Sequence, residues 1–273
     1  MTVRTASLGV DAPTTPLCGI LNNYCGVTLA EAIEATAGEA ATQARAKAKS
    51  VAQEALNRAS PRNCPAGCGA GSTANSGDDE PKLKRFENED VLGPFEDPRT
   101  GMFVAYAVAF WEREADCAGN PGQQIPLEEG SWMVEFHYPS QGQNPECDKK
   151  TLYAGCVISK GVARLLDTAA RDANEKAVTT ATGLQTTDRA RDCPTNCQPP
   201  RLDPPDPPPP ITPVRIFKPQ LFQMKRKPYA VFALAHFKVT IGCPAVVVEE
   251  EEEEGEGGGG EFMREPAPKR PTR

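Results

Sequence analysis

A cysteine pair recurs at a fixed distance along the chain, and that recurrence limits the fold more than any other feature. RASPRNCPAGC (58–68) is echoed by RARDCPTNC (189–197), so Cys193 follows Cys64, and Cys197 follows Cys68, by the same 129 positions. Downstream, MFVAYAVAFWEREADC (102–117) aligns with PYAVFALAHFKVTIGC (228–243) at a separation of 126, which sets Ala107 on Ala233, Ala109 on Ala235, Trp111 on Phe237 and Cys117 on Cys243. Upstream, Cys18 and Cys25 precede the first of these segments as Cys147 and Cys156 precede or open the second. Five cysteines per half in one order indicate an internal duplication, with a first copy over residues 1–140 and a second over 141–250.

Each copy is read from its hydrophobic periods. From about 28 to 60, Ala30, Ile33, Ala37, Ala40, Ala44, Ala48, Val51 and Ala55 recur at threes and fours, the stripe of a long helix, with Thr28 and Glu31 at the spacing of a capping box. From about 152 to 191, Ile158, Val162, Leu165, Ala169, Ala173, Ala177, Ala181 and Leu184 repeat it. Residues 102–115 alternate instead. Val104, Tyr106, Val108 and Phe110 fall on one side, and Phe103, Ala105, Ala107, Ala109 and Trp111 on the other, which is the period of a strand. Strands are expected at about 83–95, 102–115 and 131–138 in the first copy and at about 213–224, 228–241 and 245–250 in the second. The expected fold class is therefore α+β, each copy a long Ala-rich helix packed on a small three-stranded antiparallel sheet.

Between these units lie a Gly-rich linker (67–80) and a proline run (199–210), both read as spacers. Residues 251–273 close an acidic, Gly-rich tail expected to be disordered. Over the 273 residues Lys and Arg number 30 against 37 Asp and Glu, a formal net charge of −7. This balance argues against nucleic acid, since a phosphate backbone is held chiefly by surplus cations. The basic clusters Lys82/Lys84/Arg85 and Lys225/Arg226/Lys227 read as solvated strand ends and a turn. No stretch approaches the ~20 apolar residues of a membrane span, and MTVRTASLGVDAPTTPLC holds no apolar run of signal-peptide length. That points to the cytoplasm, whereas ten cysteines point to an oxidising compartment.

The cysteines are expected to be structural. A helix of over thirty residues is about 50 Å long, so cysteines at its two ends cannot meet. The expected pairs are Cys18 with Cys25, Cys147 with Cys156, and Cys117 and Cys243 each with one member of its own C-x-x-x-C, Cys64/Cys68 or Cys193/Cys197. One cysteine per copy is left to pair across the copies or stay free. Reduced thiols and a metal site are the alternatives. The metal reading brings three thiolates together and lacks a fourth ligand, because His137 and His236 stand at non-equivalent places.

Catalytic patterns are not found. His137 and His236 sit in alternating strand segments, and the sequence holds no G-x-S-x-G, Walker loop or H-E-x-x-H. The leading expectation is a non-enzymatic binding or structural protein with a protein partner and no cofactor. The alternative is a small-ligand carrier or enzyme whose apolar pocket between helix and sheet is lined by Tyr106, Trp111, Trp132 and Phe237.

Overall fold

A computed structural model describes residues 1–9, 22–58, 68, 71–73, 91–117, 129–140, 142–203, 211–217 and 229–247. About half of these residues are strand. In chain order the elements are β1 (Thr2–Gly9), β2 (Asn22–Glu34), α1 (Ala37–Arg58), β3 (Gly71–Thr73), β4 (Val91–Asp97) and β5 (Met102–Cys117), then β6 (Gly130–Tyr138), β7 (Lys150–Ala163), α2 (Leu166–Arg189), β8 (Arg201–Leu202), β9 (Ile211–Phe217) and β10 (Tyr229–Gly242). They build two antiparallel sheets. The first has the order β1-β2-β5-β3 with β4 also on β5, and the second β6-β7-β10-β8 with β9 also on β10.

The expected architecture is overturned. The sheets are not small platforms for one helix each. They are two five-stranded sheets packed face to face, and the largest core cluster lies between them. Cys25, Val27, Leu29, Val104, Tyr106, Val108 and Phe110 of the first sheet meet Leu152, Ala154, Cys156, Ile158, Phe232 and Leu234 of the second. Along β7, Leu152 N donates to Asp97 of β4, the Ala154 carbonyl accepts from Tyr106 of β5, and Lys160 donates to the Gly9 carbonyl of β1. One strand thus passes over successive strands of the other sheet, the arrangement of sheets that cross rather than align.

The helices cover the outer faces. In α1, Ala40, Ala44, Ala48, Ala52 and Leu56 are buried against Ala30, Ala32, Ala105, Ala107 and Ala109. In α2, Ala169, Ala173, Ala177 and Ala181 lie against Val157, Val231, Ala233 and Ala235. With methyl groups on both sides the backbones come close. A Cβ on Gly161 would sit 2.1 Å from the Ala169 carbonyl oxygen, so glycine is required there by space alone.

Both helices start later than the sequence period suggested. Residues 22–34 and 150–163 are strands buried on both faces, and such strands read as continuous apolar runs that periodicity does not separate from a helix. Ala30 faces α1 while Leu29 faces the other sheet. The first helix is capped by Thr36, whose Oγ1 accepts from Glu39 N at 3.3 Å and donates to the Glu39 carboxylate at 2.8 Å, so the second T-x-x-E is the one used.

Strand 131–138, expected to close the first copy, is instead the edge strand β6 of the second sheet, paired along β7. Of the expected strand at 245–250, the described residues 245–247 carry only an isolated bridge between Ala245 and Cys197. The strand β1 is an element that the sequence periods did not indicate. Expectations for residues 10–21, 59–67, 74–90, 204–210, 218–228 and 248–273 lie outside the described residues, and with them Cys18, Cys64, most of both linkers and the tail. Among the described residues no helix is long and apolar enough to cross a membrane.

Candidate functional site

Chemistry-bearing side chains gather at one end of the second sheet, and the lengths of β7 and α2 explain why. At ~3.3 Å per residue the 14 residues of β7 rise about 46 Å, and at ~1.5 Å the 24 residues of α2 return about 36 Å. The chain leaving α2 therefore arrives beside the start of β7. Cys147 is joined to Cys197 and Cys193 to Cys243, with Cα separations of 5.5 and 5.7 Å. Cys147 and Cys243 are also bridge partners. The turn between Cys193 and Cys197 is closed by Cys197 N donating to the Pro194 carbonyl at 2.9 Å. Asp148, with φ at 58°, receives Ala245 N on its carboxylate at 2.7 Å and gives its own N–H to the Cys243 carbonyl at 2.7 Å.

The expected pairing is thus right for Cys243 with one member of its C-x-x-x-C, and wrong for Cys147 with Cys156. Cys18 with Cys25 fails too, because Cys25 and Cys156 are both free. Each lies on the inter-sheet face of its strand, Cys25 on β2 and Cys156 on β7, the latter within the stretch whose period predicts a helix. Their thiols are pushed well above the ordinary range, first by burial, so they are protonated and unreactive in the folded protein. The sequence held a signal for this. Cys147 follows Cys18 by 129 positions, in register with the C-x-x-x-C pairs, whereas Cys156 follows Cys25 by 131. Cys68 is disulfide-bonded; the side chain of Cys117 lies outside the described residues.

The four aromatic residues expected to line a pocket do not converge. Tyr106 is buried between the sheets and Trp132 packs at the margin of that layer. Trp111 lies under α1 and Phe237 under α2. Trp111 and Phe237 serve as covers for glycines on the neighbouring strand, since a Cβ on Gly26 would meet the Trp111 indole at 2.8 Å and one on Gly155 the Phe237 ring at 2.2 Å.

A second polar group sits where α2 ends. His137 Nε2 is 2.7 Å from the Asp188 carboxylate, which is fully buried and also accepts from Arg191 Nε at 3.2 Å. The Arg191 guanidinium lies 4.9 Å over the Tyr153 ring, and Tyr153 donates to the Gln143 carbonyl at 2.7 Å. Burial raises the Tyr153 phenol to about 12. His137 was placed on a strand, as observed; its carboxylate partner, 51 residues on, had no local signal.

Further polar side chains stitch the two sheets. Arg4 holds Glu31 with two hydrogen bonds of 2.7 Å and also donates to the His137 carbonyl at 2.9 Å. Glu31 is raised by burial, opposed by the Arg4 charge. Asp97 accepts from Thr100 at 3.0 Å and from Tyr138 at 2.8 Å, and the buried Tyr138 phenol is pushed up to about 12. Lys160 reaches the Gly9 carbonyl with its ammonium 4.3 Å over Trp132. Among the described residues no group of three His, Cys, Asp or Glu side chains stands ready to hold a metal ion in this oxidised form. Compared with protein-family models, with curated proteins and with solved structures, the chain matches none.

Proposed function

We propose that this is a non-enzymatic binding or structural protein assembled from two duplicated cysteine-containing modules, presenting its outer surface to a protein partner. The observation that carries the reading is the use made of the interior polar side chains. Arg4 with the His137 carbonyl, Tyr138 with Asp97, Tyr106 with the Ala154 carbonyl and Lys160 with the Gly9 carbonyl all bind one sheet to the other. Such cross-bracing suits a rigid scaffold.

The duplication is supported by a constant separation of 129 from Tyr24 and Tyr153, through the buried alanines of both helices, to Cys68 and Cys197, and by the common strand order. The charged outer faces of α1 and α2 offer the partner surface, with Arg45, Lys47 and Lys49 on one and Arg171, Glu175 and Lys176 on the other. The carrier alternative has less support, because its four aromatics occupy different layers.

The test is native mass spectrometry of protein purified from its source without organic solvent, alongside titration with an environment-sensitive apolar dye. A scaffold gives the bare chain mass and no stoichiometric dye binding. A small molecule retained one to one, released on unfolding, would replace this reading with the carrier.

A further inference from the structure

The geometry points to a metal site that the disulfides conceal: on reduction, Cys147, Cys193, Cys197 and Cys243 form a four-thiolate site that takes one Zn2+. The sequence offered three thiolates and no fourth ligand, and the fold supplies Cys147 as the fourth. The four residues are linked on every side. Cys147 pairs with Cys197 and Cys193 with Cys243 through sulfur, Cys147 lies beside Cys243 through backbone pairing, and Cys193 and Cys197 flank one turn.

The change needed is small. Sulfurs about 2.05 Å apart in a disulfide must separate to about 3.8 Å, the edge of a tetrahedron with Zn–S bonds of ~2.3 Å. The backbone is held meanwhile by bonds that do not involve sulfur, including Asp148 to Ala245 and Gln198 N to the Pro244 carbonyl at 2.7 Å. A zinc tetrathiolate carries two negative charges. Lys150 and Arg201, both register partners of Gly242 next to Cys243, bring cationic side chains to this end of the sheet, the Lys150 ammonium also pairing with Asp203 at 3.0 Å. Cys147, Cys193 and Cys197 are partly exposed, which gives reductant and metal access, while Cys243 is buried.

The chemistry balances with a dithiol as reductant. Each disulfide takes two electrons and two protons from one dithiol, which leaves as its own disulfide, and gives two thiols. The four thiols release four protons to solvent as four Zn–S bonds form. Oxidised and metal-bound forms are then alternative closures of one site, which reconciles a cysteine-rich chain with either redox setting.

The experiment uses the full chain, reduced with a dithiol without oxygen, freed of reductant, and supplied with Zn2+ or Co2+. Because Cys18, Cys64, Cys68 and Cys117 stand at corresponding places in the first half, the readout is a difference. The C193S/C197S variant is expected to bind one metal fewer per chain than the natural protein, and the lost cobalt signal to show tetrahedral d–d bands with thiolate charge transfer. In the natural chain, alkylation of Cys147, Cys193, Cys197 and Cys243 is expected to slow together by more than about tenfold with micromolar zinc, given zinc-finger-like affinity. This second readout holds if the variant does not fold. Equal metal content in the two chains, or zinc that leaves the four alkylation rates unchanged, overturns the proposal.

Discussion

Glu31 shows how one buried residue can make stability depend on pH. Its carboxylate is fully enclosed, while the Arg4 side chain that neutralises it is 30% exposed. Burial raises the folded-state value above the unfolded one, so folding takes up a proton in that window. The stabilisation attached to the protonated form is complete below the unfolded value of 4.5 and is lost as pH rises through the folded value. The Glu31→Gln variant lacks this dependence. Its stability relative to the natural protein is expected to improve from pH 4 upwards, as read from urea midpoints across pH. Arg4→Met leaves the charge uncompensated, and at pH 7 should cost ~3 kcal/mol, towards the low end for breaking a buried pair because Arg4 is partly solvated. The loss should shrink at pH 4; an equal loss at both pH values would refute the argument.

At the scale of the element, the two helices differ where their stripes end. Leu56 closes the stripe of α1, and 129 positions on Gln185 takes that place in α2, buried with its Nε2 unpartnered. Gln185→Leu should stabilise the protein by about 1–2 kcal/mol, since an unsatisfied buried amide is exchanged for an apolar side chain of similar volume. The glycines give a paired expectation. A Cβ added at Gly183, on the exposed face of α2, would meet nothing within 4 Å, so Gly183→Ala should add up to ~1 kcal/mol. Gly161→Ala meets the Ala169 carbonyl and should cost ~3 kcal/mol, because helix backbone must move. Chemical denaturation of the two variants side by side checks the sign as well as the size.

For the whole molecule, the disulfides matter through the loops that they close. The Cys147–Cys197 and Cys193–Cys243 bridges each span a separation of 50 residues, which in the chain-entropy account contributes about 4 kcal/mol. Peptide mapping after non-reducing alkylation should recover both pairs as linked peptides. Cys25 and Cys156 should be labelled only once the chain is denatured. Labelling of either in the native protein would mean that the two sheets separate readily.

Much of the secondary framework was written locally. The alternation from Val104 to Trp111 is a strand, and the four-residue alanine spacing is a helix. These follow from short-range sterics and burial, which a few neighbouring residues specify. Tertiary structure alone decided that 22–34 and 150–163 are strands, because a run apolar on both sides fits a doubly covered strand as well as a helix until a second layer exists to cover it. It likewise gave β6 to the second sheet, placed Glu31 beside Arg4 and Asp188 beside His137, and carried Cys147 to Cys197. Those partners lie 27 to 51 residues apart, and they come within reach through the antiparallel pairing of β1 with β2, which sets Arg4 opposite Glu31, and through the return of α2 along β7.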